Sequence, residues 1–76
     1  MQTVRINALF ITLGQLLKEE SIIESGGQAK WFLRENTVLV NDEPEDRRGR
    51  KLYSDDTVTV TGEGTYVVQS QLETTD

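Results

Sequence analysis

Apolar positions along the chain fall first at helical spacing and later in alternation, with the change near Asn36. Thr12-Leu13-Gly14-Gln15 has the form of a capping box, in which a hydroxyl and an amide three residues apart satisfy each other's backbone N–H. Ile11 before the cap and Leu16 four after it fit the accompanying hydrophobic staple. Leu13, Leu16 and Leu17 then recur at i, i+3 and i+4 and predict a short amphipathic helix over about residues 12–20. Ser21 to Ser25 reads as a connection whose Ile22 and Ile23 pack onto the core. Ser25-Gly26-Gly27-Gln28 repeats the capping pattern and opens a second helix running to about Asn36. At about 100° per residue, Ala29, Phe32 and Leu33 form its buried stripe, and Lys30, Trp31 and Arg34 fall on the other side with Gly27.

Beyond Asn36 the period is two. Thr37-Val38-Leu39-Val40 predicts a strand, Asn41-Asp42-Glu43-Pro44 a turn, and Thr57-Val58-Thr59-Val60 a second strand. Ser54-Asp55-Asp56 and Gly62-Glu63-Gly64 are further turns, and Tyr66-Val67-Val68 forms a last strand. Val4-Arg5-Ile6 also alternates and predicts a short strand near the start. Glu45 to Lys51 is too charged for a core and reads as a loop or exposed ribbon. Two short helices followed by three small strands make an α+β domain. Gln69 to Asp76 is polar and reads as a frayed tail over 69–76.

Composition narrows the chemistry. The chain has 76 residues, 36% of them hydrophobic, enough for a single domain with one thin core. A domain of this size buries only about 60% of the surface its unfolded chain exposes, so a deep enclosed active site is not expected. Histidine and cysteine are both absent. That removes imidazole bases, thiolate nucleophiles, disulfides and the usual zinc ligands. The carboxylate groups at Asp42-Glu43-Glu45-Asp46 and Asp55-Asp56 lack the spacing of a calcium loop. The expectation is a protein without catalysis, metal, cofactor or small-molecule substrate. The longest early apolar run, Ala8-Leu9-Phe10-Ile11, is far shorter than the ~20 residues of a membrane span. A cytoplasmic location with no membrane partner is expected.

The net charge of −5 disfavours nucleic acid at long range, but the charge is unevenly spread. Residues 30–51 hold six basic side chains against five acidic, whereas residues 52–76 hold five acidic and none basic. With a Debye length of about 8 Å at physiological salt, a ligand on the middle segment senses local charge.

The strongest chemical signal there is Arg47-Arg48-Gly49-Arg50-Lys51. Arginine forks match phosphate oxygens in a bidentate way, and Gly49 permits close backbone approach. In the competing reading, the run is a solvated loop paired with Asp42, Glu43, Glu45 and Asp46, each pair worth about 0–1 kcal/mol. The second helix offers a companion surface. Backbone amides at Gly26 and Gly27 suit an anion, Lys30 and Arg34 stand one turn apart, and Trp31 either stacks a base or covers the core edge.

Thr12-Leu13-Gly14-Gln15-Leu16-Leu17-Lys18, Ser25-Gly26-Gly27-Gln28-Ala29-Lys30, Val38-Leu39-Val40-Asn41 and Arg47-Arg48-Gly49-Arg50-Lys51-Leu52 together resemble the ribosomal protein S-four RNA-binding domain, the alpha-L motif. Within that superfamily the chain is similar to the small stand-alone YaaA-like bacterial proteins, over about residues 11–68. The resemblance implies binding of structured RNA, ribosomal RNA foremost with transfer RNA as the alternative, by a ribosome-associated or assembly factor that acts on ribosomal particles. It implies two short helices packed on a small, mostly antiparallel sheet, with a core over about residues 11–68, and an RNA surface made by the start of the second helix and the following hairpin loop. On this chain that selects Gly26, Gly27, Gln28, Lys30 and Arg34 with Arg47, Arg48, Arg50 and Lys51, and Trp31 stands beside them. Two positions depart from the general motif. Asn41-Asp42 replaces an Asn-Gly turn, and Gly27 stands where a basic or hydroxylic residue is common. Both lower the local positive field. The rival expectation is a protein-interaction adaptor that docks an acidic partner on the basic loop.

Overall fold

The computed structural model describes residues 1–72; the last four residues of the expected tail lie outside the described residues. The chain runs β1 (Gln2–Ile6), β2 (Phe10–Thr12), α1 (Leu13–Glu19), a 3-10 turn (Gly26–Gln28), α2 (Ala29–Glu35), β3 (Val38–Val40), β4 (Glu43–Pro44), β5 (Lys51–Tyr53), β6 (Thr57–Val60) and β7 (Gly64–Ser70).

Local chemistry sets both ends of α1. The Thr12 hydroxyl accepts the Gln15 N–H at 3.2 Å, and Gln15 Oε1 accepts the Thr12 N–H at 3.0 Å, which is the predicted capping box. At the far end Ser21 adopts a positive φ of 61°. Its N–H donates to Lys18 and that of Ile22 to Leu17, the paired bonds of a Schellman ending. The reversal turns Ile23 into the core and leaves Ile22 partly buried against it, as expected.

Five strands form one sheet in the order β1-β7-β6-β3-β4, and β2 pairs with β5 in a separate two-stranded ribbon. All pairs are antiparallel except β1 with β7, which run parallel with Val4 opposite Val68. Alternation sorts the side chains: Val38, Val40, Val58, Val60, Tyr66 and Val68 are buried. Leu13, Leu16, Leu17, Ala29, Leu33 and Leu52 join them in one core. On the other face of the sheet the Thr59 and Thr65 hydroxyls meet at 3.2 Å.

The α+β expectation holds, with more strands than the pattern revealed. The strand read at Val4–Ile6 is β1, and the three read after the helices are β3, β6 and β7. β2, β4 and β5 span two or three residues each, too short to show alternation, and only their pairing defines them. Two further corrections concern the ends of the core. Val4 is buried, so the core begins before residue 11. Gln69 and Ser70, expected in the tail at 69–76, belong to β7. Ser70 is buried, takes the Ser54 hydroxyl as acceptor for its N–H and donates its own hydroxyl to the Ala8 carbonyl, both at 2.7 Å. None of the described helices is long and apolar enough to cross a membrane.

Candidate nucleic-acid interface

The basic loop between β4 and β5 is ordered by one carboxylate. Glu45 is fastened to the end of β3 by its N–H, which donates to the Val38 carbonyl at 2.9 Å. Its side chain, only 7% exposed, accepts Arg47 Nε at 2.9 Å and Nη2 at 3.0 Å, and Arg50 Nη1 at 2.8 Å. It also accepts the Arg47 backbone N–H at 3.1 Å. The hydrogen bonds from Arg47, opposed by partial burial, hold the carboxyl down to about 2, and Arg50 adds to the effect. The Arg47 guanidinium is correspondingly raised. Glu45 thus makes the only ion pairs among the described residues, and Asp42 and Glu43 hold no guanidinium there.

Arg48 and Gly49 occupy the tip of the turn, which the Arg50 N–H closes on the Arg47 carbonyl at 3.1 Å. This turn caps α1. The Leu13 N–H donates to the Arg50 carbonyl and the Gly14 N–H to the Arg48 carbonyl, both at 2.9 Å. Gly14 also faces α2, since a Cβ added there would lie 3.5 Å from the Ala29 Cβ. Basic turn, α1 and the start of α2 therefore meet at one point. They border an open groove lined by Thr12, Gly14, Gln15, Gly26, Ala29, Arg48 and Gly49.

Lys30 and Arg34 follow Gly26 along α2, exposed and one turn apart. The Arg34 guanidinium lies 5.2 Å from the centroid of the Trp31 ring, and Trp31 is 60% exposed. The ring stands largely in solvent rather than over the core. Trp31 also borders a second hollow with Ile22, Phe32 and Glu35. Lys51 lies on β5 opposite Thr12, one of the groove residues, and its ammonium sits 5.0 Å from the Phe10 ring centroid.

The Ser25–Gln28 capping box is present, but the second helix that it opens differs from the expectation at its start. Its first turn is 3-10, and the Gln28 and Ala29 N–H groups are taken by the Ser25 and Gly26 carbonyls. Gln28 turns its side chain back, Oε1 accepting the N–H groups of Glu24 and Ser25. Two Gly residues before Gln28 tighten the turn, so fewer amides stay open for an anion than an α-helical start would leave.

Of the ten expected site residues, Gly26 and Arg48 line the groove, with Lys30, Arg34 and Lys51 on its flanking elements. Arg47 and Arg50 are drawn together on Glu45. Two contributors were not singled out by the sequence. Gly14 had a legible signal, since a glycine inside a helix costs about 1 kcal/mol relative to alanine and needs a packing reason. Glu45 had none, because four acids flank the arginines and nothing in their order distinguishes it.

The family model described as S4 domain matches residues 4–69, nearly the whole described chain. This chain belongs to the S4 domain family. The S4 match begins at the buried Val4 and ends within β7, so it includes part of the parallel β1–β7 pair, Val4 opposite Val68 and Arg5 opposite Gln69. The domain is also similar to a Bacillus subtilis (strain 168) protein named "Probable ribosome maturation protein RlbA". The two are 57% identical over 65 residues, covering 86% of this chain and 92% of that one. No solved structure matches this S4 domain.

Proposed function

We propose that this S4 domain is a non-catalytic binder of structured RNA, ribosomal RNA above all, and serves in ribosome maturation. The observation that carries the reading is the convergence of the Arg48-Gly49 turn and the Gly26 end of α2 on one groove. Lys30, Arg34, Arg48 and Lys51 form no ion pair among the described residues and supply positive charge on the elements around it. Membership of the S4 family and the likeness to a protein named for ribosome maturation support the same conclusion.

Phosphate contacts hold the RNA, and shape is read rather than sequence, because the deep groove of an RNA helix admits few side chains. Four cations that neutralise about four phosphates give a salt slope of about −3 to −4. Affinity for a ribosomal RNA hairpin should then fall about 60- to 250-fold between roughly 50 and 200 mM salt. A titration at those two salts tests the reading, and a salt-independent affinity overturns it. Association with ribosomal particles that survives RNase would favour the adaptor reading instead.

A further inference from the structure

Glu45 carries the same charge as a phosphate backbone, yet it sits at the base of the most basic loop in the chain. Two roles follow from that placement, and they predict opposite signs. A carboxylate that competes with RNA for Arg47 and Arg50 weakens binding. One that shapes the loop strengthens it.

The geometry favours shaping. The carboxylate is almost withdrawn from solvent, and its two oxygens accept four N–H groups from Arg47 and Arg50. Its own backbone is tied to β3 through Val38, while the loop's carbonyls are tied to the first turn of α1 at Leu13 and Gly14. Arg48 and Gly49 lie between these two anchors. Without the carboxylate, four cations in five residues repel one another, and the β3 anchor at Val38 no longer reaches the turn through Arg47 and Arg50. With it, two guanidiniums are folded back and Arg48 is left at the groove beside Gly26.

We propose that Glu45 is a positioning residue of the RNA surface: by holding Arg47 and Arg50 it fixes the turn so that Arg48 is presented at the Gly26 groove, and it thereby raises RNA affinity. This rests on the RNA reading above. The principle is preorganisation, in which a binding group already held in place loses less conformational freedom when its ligand arrives.

The test uses the full chain and a fluorescently labelled ribosomal RNA hairpin, with wild type, Glu45→Asp, Glu45→Gln and Arg48→Ala compared by anisotropy. Glu45→Asp keeps the charge but shortens the reach to the two guanidiniums. It should weaken binding about tenfold, where charge alone predicts no change. Glu45→Gln should also weaken binding although it removes an anion, and Glu45→Asp carries the test if that variant fails to fold. In an Arg48→Ala background the loss from Glu45→Asp should shrink to about twofold or less, because the two residues act through one contact. Wild-type affinity in Glu45→Asp, tighter binding by Glu45→Gln, or an undiminished loss in the Arg48→Ala background each overturns the proposal. A wild type that ignores the hairpin overturns the RNA reading itself, and this inference with it.

Discussion

The Gly14 N–H donates to the Arg48 carbonyl at 2.9 Å, and a Cβ added to Gly14 would stand 3.3 Å from that same oxygen. The site is tight because the capped end of α1 is wedged between the basic turn and Ala29 of α2. The position of Arg48 therefore depends on the absence of a side chain thirty-four residues earlier. Packing and the proposed function are coupled at this single contact.

A graded series at Gly14 follows. Alanine gains about 1 kcal/mol of helix propensity but must push the Arg48 carbonyl by a few tenths of an ångström. Gly14→Ala should therefore stay within about 1 kcal/mol of wild type in urea unfolding. Gly14→Val overfills the junction and should cost about 1–3 kcal/mol and weaken hairpin binding with it.

Arg48 and Arg47 are adjacent and differ in their engagement. Arg48→Ala should make the salt slope of hairpin binding shallower by about one, since it removes one phosphate contact. Arg47→Ala should leave the slope within about half a unit of wild type while lowering affinity, because its guanidinium is spent on Glu45. Anisotropy titrations across a salt series measure both. Equal changes in slope would show that Arg47 leaves Glu45 to reach the RNA.

Acid should loosen the basic turn before it unfolds the domain. The folded Glu45 carboxyl is held at about 2 against an ordinary 4.5, chiefly by the Arg47 hydrogen bonds. A depressed carboxyl contributes its full stability above the unfolded value and loses it as pH falls from about 4.5 toward about 2. Thermal melts across that window should show a decline in Tm that is smaller in Glu45→Gln, which has no carboxylate to protonate.

The hairpin between β3 and β4 carries strain that one substitution relieves. Asn41 and Asp42 both have positive φ, 52° and 69°, as a two-residue hairpin turn of this hand requires. Asn41 is fitted to its place, with Oδ1 accepting the Thr57 N–H at 2.9 Å and Nδ2 donating to Asp56 at 3.1 Å. Glycine at the second position adopts that conformation without a Cβ clash. Asp42→Gly should raise stability by about 0.5–1 kcal/mol in thermal or urea unfolding, and Asn41→Gly should lower it.

The sequence alone determined what local chemistry controls. Thr12 and Gln15 bracket a helix start wherever they stand three residues apart, and the Val residues of β3 and β6 face one side because strands alternate. Absent His and Cys narrowed the chemistry before any fold was known, and the clustered arginines marked the middle of the chain. Tertiary structure decided what depends on partners distant along the chain. The parallel pairing of β1 with β7 joins the two ends, so Gln69 and Ser70, polar and featureless as a string, became ordered strand. The short strands β2 and β5 exist only through each other. Which acid would take the arginines was open among four, and it fell to Glu45 because Val38 holds its backbone beside the turn. Trp31 stays exposed because Ala29 and Leu33 fill the inner side of α2. Hydrogen-bond caps and side-chain period act over a few residues and can be read from order, whereas burial and ion pairing depend on which segments the folded chain brings within reach.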